Sequence, residues 1–307
     1  MRPLPPSAAA LVLLLGGCSA AEGGRPAVPT SQAPDGFWEH WGDGRAELVG
    51  YALQMPRYGE MRTGEAVLIT VTESFSATEA VKSDRGGPGT HPVLKLNQIA
   101  DFQTGVYDYN TMTSAFMRLD GGLPRGVPAR LGFSMQEWCG QTSTRVVADE
   151  GALVHSVDSY FEGESSGPTR VSIPTGALAE DTLAGLLRGL TGPPPEGEVS
   201  LLPRLMDNQL HHRELAWRDA TLERGAAQQL DTPAGSMDVT PWTLRGGAQG
   251  TRTWYIGVAP PHLLVGWDGE DGERARMSGQ LRTAYWQQAG EGQEALRAEL
   301  GLATRAR

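Results

Sequence analysis

Glu65-Ala66-Val67-Leu68-Ile69-Thr70-Val71-Thr72 is the stretch that decides the fold. It is apolar and β-branched over most of its length, the pattern of a buried strand. Downstream, His91-Pro92-Val93-Leu94-Lys95-Leu96-Asn97-Gln98 sets Val93, Lys95 and Asn97 against Leu94 and Leu96. That two-residue period is a strand with two different faces. Gly86-Gly87-Pro88-Gly89 before it is a turn. Further strands are predicted at 102–109, 112–119, 129–138, 142–148, 152–160 and 168–173, then at 213–223, 236–245, 251–258, 262–268 and 273–282. Short Gly-rich or polar separators make neighbouring strands antiparallel partners.

One segment breaks the pattern. In 177–190, Leu178, Leu183, Leu186, Leu187 and Leu190 fall on one side at helical spacing. Pro174 precedes it and Gly192-Pro193-Pro194-Pro195 ends it. A second short helix is expected near 290–300. Parallel α/β folds need a helix after each strand, and this chain lacks them. The expectation is a mainly β protein (a β-rich α+β fold): a large antiparallel sheet, half-barrel or sandwich, with one packed helix near 177–190. The body spans 35–300, with 174–198 as a candidate boundary between two subdomains.

The beginning of the chain is of another kind. Arg2 precedes the apolar run Ala8–Leu15, which is far shorter than the roughly 20 residues a membrane span needs. It reads as the h-region of a signal peptide, residues 1–17. Leu15-Gly16-Gly17-Cys18 resembles a bacterial lipobox. The resemblance implies cleavage between Gly17 and Cys18 and acyl chains on Cys18, hence a membrane partner through those chains. Two or more chains anchor stably where one does not. Ser19 in place of Asp favours the outer over the inner membrane by the same resemblance. Residues 18–34 carry one large aliphatic side chain, Val28, and several prolines, so a flexible tether is expected. Just beyond it, Phe37-Trp38-Glu39-His40-Trp41 is expected to dock the start of the body into the core.

Composition narrows the function classes. The 307 residues carry a formal charge of −10, and only Lys82 and Lys95 are lysines. An acidic chain of this kind is not expected to bind nucleic acid or to hold a membrane through a basic patch. No GxSxG, P-loop, GxGxxG, HExxH or CxxC occurs. No cofactor or metal is expected: His211 and His212 are adjacent and diverge, and the other histidines are scattered.

The remaining candidates are few. Cys139, in Gln136-Glu137-Trp138-Cys139-Gly140, is a candidate nucleophile with His155 as base, or a small buried hydrophobe beside Trp138. Glu162 and Glu164 are a candidate carboxylate pair, or part of a solvated turn. Trp217, Trp242, Trp254 and Trp267 either floor a ligand pocket or fill a β core. The segments 41–48, 102–109, 136–140 and 159–164 resemble an uncharacterised family of exported bacterial proteins, a likeness that implies no activity. The leading expectation is a lipid-anchored envelope protein with a non-enzymatic role. It would bind or carry a hydrophobic small ligand, or serve as a structural partner of another envelope protein. The alternative is a hydrolase using Cys139 or Glu162/Glu164.

Overall fold

The computed structural model describes residues 29–304. Gly17 and Cys18, the signal peptide and most of the expected tether lie outside the described residues. Within them the protein is mainly β. The strands are β1 (Thr30–Gln32), β2 (Ala46–Arg57), β3 (Glu60–Ser76), β4 (Thr90–Thr104), β5 (Tyr107–Arg118), β6 (Asp120–Pro124), β7 (Arg130–Glu137), β8 (Gly140–Asp149) and β9 (Ala152–Ser159). They continue as β10 (Ser166–Ser172), β11 (Ala177–Ala179), β12 (Gly197–Leu202), β13 (Arg218–Arg224), β14 (Gln228–Thr232), β15 (Gly235–Gly247), β16 (Gly250–Gly257), β17 (Leu264–Gly269) and β18 (Arg274–Thr283). The helices are α1 (Phe37–Trp41), α2 (Leu183–Leu186) and α3 (Leu205–Leu210).

Sixteen strands make one sheet, ordered β10-β9-β8-β7-β5-β4-β3-β2-β18-β17-β16-β15-β13-β12-β11, with β14 on β15. Every pairing is antiparallel except β11 with β12. The deciding stretch lies inside β3, whose ladders to β2 and β4 run unbroken from Gly64 to Thr70. Where 102–109 reads as one strand, the chain instead makes the β4–β5 hairpin, turning at Gly105 with φ +59°. That left-handed geometry suits glycine.

The sheet curls back on itself. β7 and β11 are eleven strand steps apart in the order, about 53 Å if flat at ~4.8 Å per step. Yet the Ala179 N–H donates to the carbonyl of Gly126, just before β7, at 2.9 Å. A Cβ on Gly126 would stand 2.4 Å from Leu178. The sheet therefore wraps around the segment that follows β11.

One core fills the inside. Leu94, Leu96, Met117, Leu131 and Phe133 from one half of the sheet share it with Leu222, Leu244, Trp254 and Met277 from the other. Leu178, Leu183, Leu186, Leu187 and Leu190 fill the space between. Their common apolar face was legible, but the helix is shorter than 177–190 suggests. Residues 177–179 are spent on β11, Glu180–Thr182 form a 3₁₀ turn, and α2 has four residues. Enclosure explains this: tertiary packing overrides helical propensity. Gly185 faces Met117, Leu94 and Leu96, where a Cβ would come within 2.5 Å of the Met117 side chain. β2 pairs with β18, and the core takes side chains from both sides of 174–198.

The outer face carries two small clusters. Leu48, Ile69 and Val71 are covered by Leu300, the last residue of the 3₁₀ helix Gln293–Leu300, and by Leu302 just after it, at the place where a closing helix was expected. Phe75, Val93 and Phe116 pack with Ala80 and Ala129. At the N-terminal end, Phe37 and Trp41 are buried, as their clustering suggested, while Trp38 is half exposed. The end of the expected tether is part of the body. Ser31 in β1 is fully buried, its hydroxyl donating to the Arg118 carbonyl at 2.6 Å.

Candidate functional site

Trp242, Trp254 and Trp267 lie inside the core and fill it rather than floor a pocket. Trp267 has a polar task as well: its indole N–H donates to Glu273 Oε1 at 2.7 Å. Trp217 is half-buried against the same core, its indole N–H without an acceptor among the described residues. The sheet's apolar interior is taken up by the chain's own leucines.

Around Glu273 sits a buried charge cluster. Arg204 grips Glu273 with two nitrogens, at 3.1 and 2.7 Å, and Asp207 with two more contacts, at 3.1 and 2.5 Å. Arg252 reaches Glu273 at 2.5 Å, Asp207 at 3.0 Å and Glu180 at 3.1 Å. Burial by itself raises Glu273, but the two guanidiniums outweigh it and hold the carboxyl low. Burial raises Glu180. It pushes Asp181, which accepts the Leu205 N–H at 3.0 Å, up to about 7. Protonation of these two carboxyls brings the cluster towards neutrality, the state a water-poor interior demands.

This cluster fixes α3 against β16 and β18. At its other end, Arg57 donates to the Leu210 carbonyl at 2.7 Å, a cationic cap where helix carbonyls lack partners. All six residues of α3 are buried. Asp207 faces the ions, while Leu205, Asn208 and Gln209 form one wall of a cleft of about 560 Å³. Thr144, His155 and Val157 from β8 and β9 form the opposite wall. The loop with Glu164 and the residue His212 close its rim.

Two of the sequence candidates meet here. Glu164 takes hydrogen bonds from Ser159 Oγ at 2.6 Å and Gln209 Nε2 at 2.8 Å, and its other oxygen contacts His212 Nδ1. Burial would raise Glu164, but these partners together hold it below the ordinary carboxylate range. His155 shares the cleft, its Nδ1 without a partner among the described residues and its basicity lowered by burial. Glu162 is exposed on the same turn.

Cys139 belongs elsewhere. With Trp138 it is the tip of the β7–β8 hairpin, and it is exposed rather than packed. His155 pairs across from Val146 while Cys139 precedes Gly140, so about 20 Å of strand lies between them at ~3.3 Å per residue. Glu137 accepts the Cys139 N–H at 2.8 Å, and its hydrogen bonding and negative charge raise the thiol above its ordinary value. That opposes thiolate formation.

Asn208 is the residue the sequence did not mark. It is 6% exposed, and neither its amide nitrogen nor its amide oxygen has a partner among the described residues. Gln209 and His212 were equally unmarked in this role, because only the return of α3 onto β9 brings them to Glu164. No protein-family model, no curated protein and no solved structure matches this chain.

Proposed function

We propose that this is a lipid-anchored envelope protein that binds a small, hydroxyl- or amide-bearing ligand in the cleft between α3 and β8–β9. The carrying observation is Asn208. A buried amide left without partners costs about 1–3 kcal/mol, and a ligand in the cleft would supply the missing bonds. An amide that both donates and accepts suits a sugar hydroxyl pair or another amide. The leucine-filled interior favours such a polar ligand over an acyl chain. Anchorage through Cys18 rests on the lipobox resemblance, and Cys18→Ser should release the protein from the membrane fraction.

The test is saturation-transfer NMR with N-acetylglucosamine, which carries both groups, alongside mass spectrometry of small molecules extracted from the purified protein. Saturable binding or a co-purifying polar ligand, lost in Asn208→Leu, supports the reading. Binding that Asn208→Leu leaves unchanged, or an empty cleft in both measurements, refutes it.

A second reading rests on the Glu164–His212 contact. A carboxylate on Nδ1 orients an imidazole so that Nε2 can take a proton from water. Turnover of 4-nitrophenyl N-acetylglucosaminide, abolished by His212→Gln with binding retained, would make the cleft a hydrolase site. Binding without turnover leaves it a binding site.

A further inference from the structure

We propose that the outer face of the sheet carries a second site, for the phosphate group of an amphiphile, held by Arg130 and Arg145 above Gly132. The chain is acidic overall, yet its two lysines and these two arginines line one outer groove of about 490 Å³. They come from four places: Lys82 in the loop after β3, Lys95 in β4, Arg130 in β7 and Arg145 in β8.

The cations are not equally available. Lys82 is paired with Asp84 at 2.6 Å and Lys95 with Glu73 at 3.2 Å. Among the described residues Arg130 reaches only a neutral acceptor, the Ala80 carbonyl, at 2.9 Å. Arg145 has no acceptor among the described residues. In the ladder Gly132 lies opposite Arg145, and Arg130 is the next residue on that face, a diagonal of roughly 7–8 Å. Asp158, one step further along on β9, makes no ion pair with either arginine. From these backbone positions two long arginine side chains on one face can both reach an anion over Gly132. Burial and the nearby Arg145 together make Arg130 a weaker base, as an unneutralised pair requires. Gly132 leaves the floor open: a Cβ there would meet nothing within 4 Å.

Guanidinium forks match phosphate oxygens, so a phosphate fits better than a halide or a single carboxylate. The neighbours give the amphiphile preference. Val81 and Met112 stand 37% and 42% exposed beside the arginines, with Phe116 beneath. An apolar tail attached to the phosphate would cover them.

The test is isothermal titration of the full chain with inorganic phosphate, with dihexanoyl phosphatidylglycerol below its micelle concentration, and with dihexanoyl phosphatidylcholine, whose choline cancels the charge. The glycerol lipid should bind saturably and more tightly than inorganic phosphate. Arg145→Gln should weaken it at least about tenfold, as expected for a lost charge-assisted contact. Val81→Ser/Met112→Ser should weaken the lipid alone. Arg145 is exposed, so that variant should keep the wild-type melting temperature. Phosphate binding as tight as lipid binding would assign the site to a free phosphate and overturn the amphiphile. No saturable binding, or binding unchanged in Arg130→Gln/Arg145→Gln, overturns the site itself.

Discussion

Arg204 and Glu273, 69 residues apart in the chain, close on each other through two hydrogen bonds inside the core. The contact ties α3 to the start of β18, and so sets the wall that carries Asn208. Removing one partner of a buried pair leaves the other charge stranded, at about 3–5 kcal/mol. Glu273→Gln should therefore destabilise by that amount in urea unfolding. Because Glu273 also accepts the Trp267 indole N–H, native tryptophan emission should shift too. A loss under 1 kcal/mol would mean that Arg204 and Arg252 are satisfied by Asp207 and Glu180 alone.

Asp181 makes stability depend on pH. Burial holds its carboxyl near 7, so the folded state binds that proton more tightly than the unfolded chain. Its contribution is complete below about pH 4 and is lost as pH rises through about 7, at most about 1.4 kcal/mol per pH unit. Glu273, held low, acts oppositely: its contribution is present above about pH 4 and lost as pH falls. Comparing wild type with Asp181→Asn isolates the first effect. The variant should be the more stable at pH 8 and gain little at pH 4. Parallel stability curves from pH 4 to 8 would contradict this.

Asn208→Leu should stabilise the unliganded protein by about 1 kcal/mol, since an unpartnered amide is exchanged for an apolar group of similar size. A stabilised chain that no longer binds is the signature of a functional residue that the fold itself does not need. Thermal unfolding with and without ligand measures both halves.

Gly50 and Gly279 pair across β2 and β18, and the C-terminal turn lies on them. A Cβ on Gly279 would stand 2.1 Å from the Glu299 carbonyl oxygen. Gly279→Ala should lift Gln293–Leu300 off the outer face and cost about 1–3 kcal/mol, as overpacking does. Limited proteolysis should then cut near residue 300 faster than in wild type.

Cys139 should react slowly with iodoacetamide at neutral pH despite its exposure, because Glu137 opposes the thiolate. Glu137→Gln keeps the acceptor, removes the charge, and should speed alkylation several-fold. Equal rates would show that Glu137 does not govern the thiol.

Period-two patterning alone determined that this protein is a large antiparallel sheet. Alternation along one strand is local, and Val93 against Leu94 already separates the two faces. The leucines of 177–190 likewise announced an apolar face. Helix length was not legible, because enclosure by strands on both sides sets it. Glu164 was legible as a residue type, yet its partners were not: Gln209 and His212 follow it by 45 and 48 positions. Asn208 looks ordinary in sequence, since a missing partner is a property of its surroundings. The same holds for charge. Composition described an acidic chain without a basic face, and only the register of β4, β7 and β8 gathers Lys95, Arg130 and Arg145 into one. Periodicity reads the backbone's local geometry. A site depends on which distant residues the closed sheet brings within a few ångströms, and that is decided by tertiary structure.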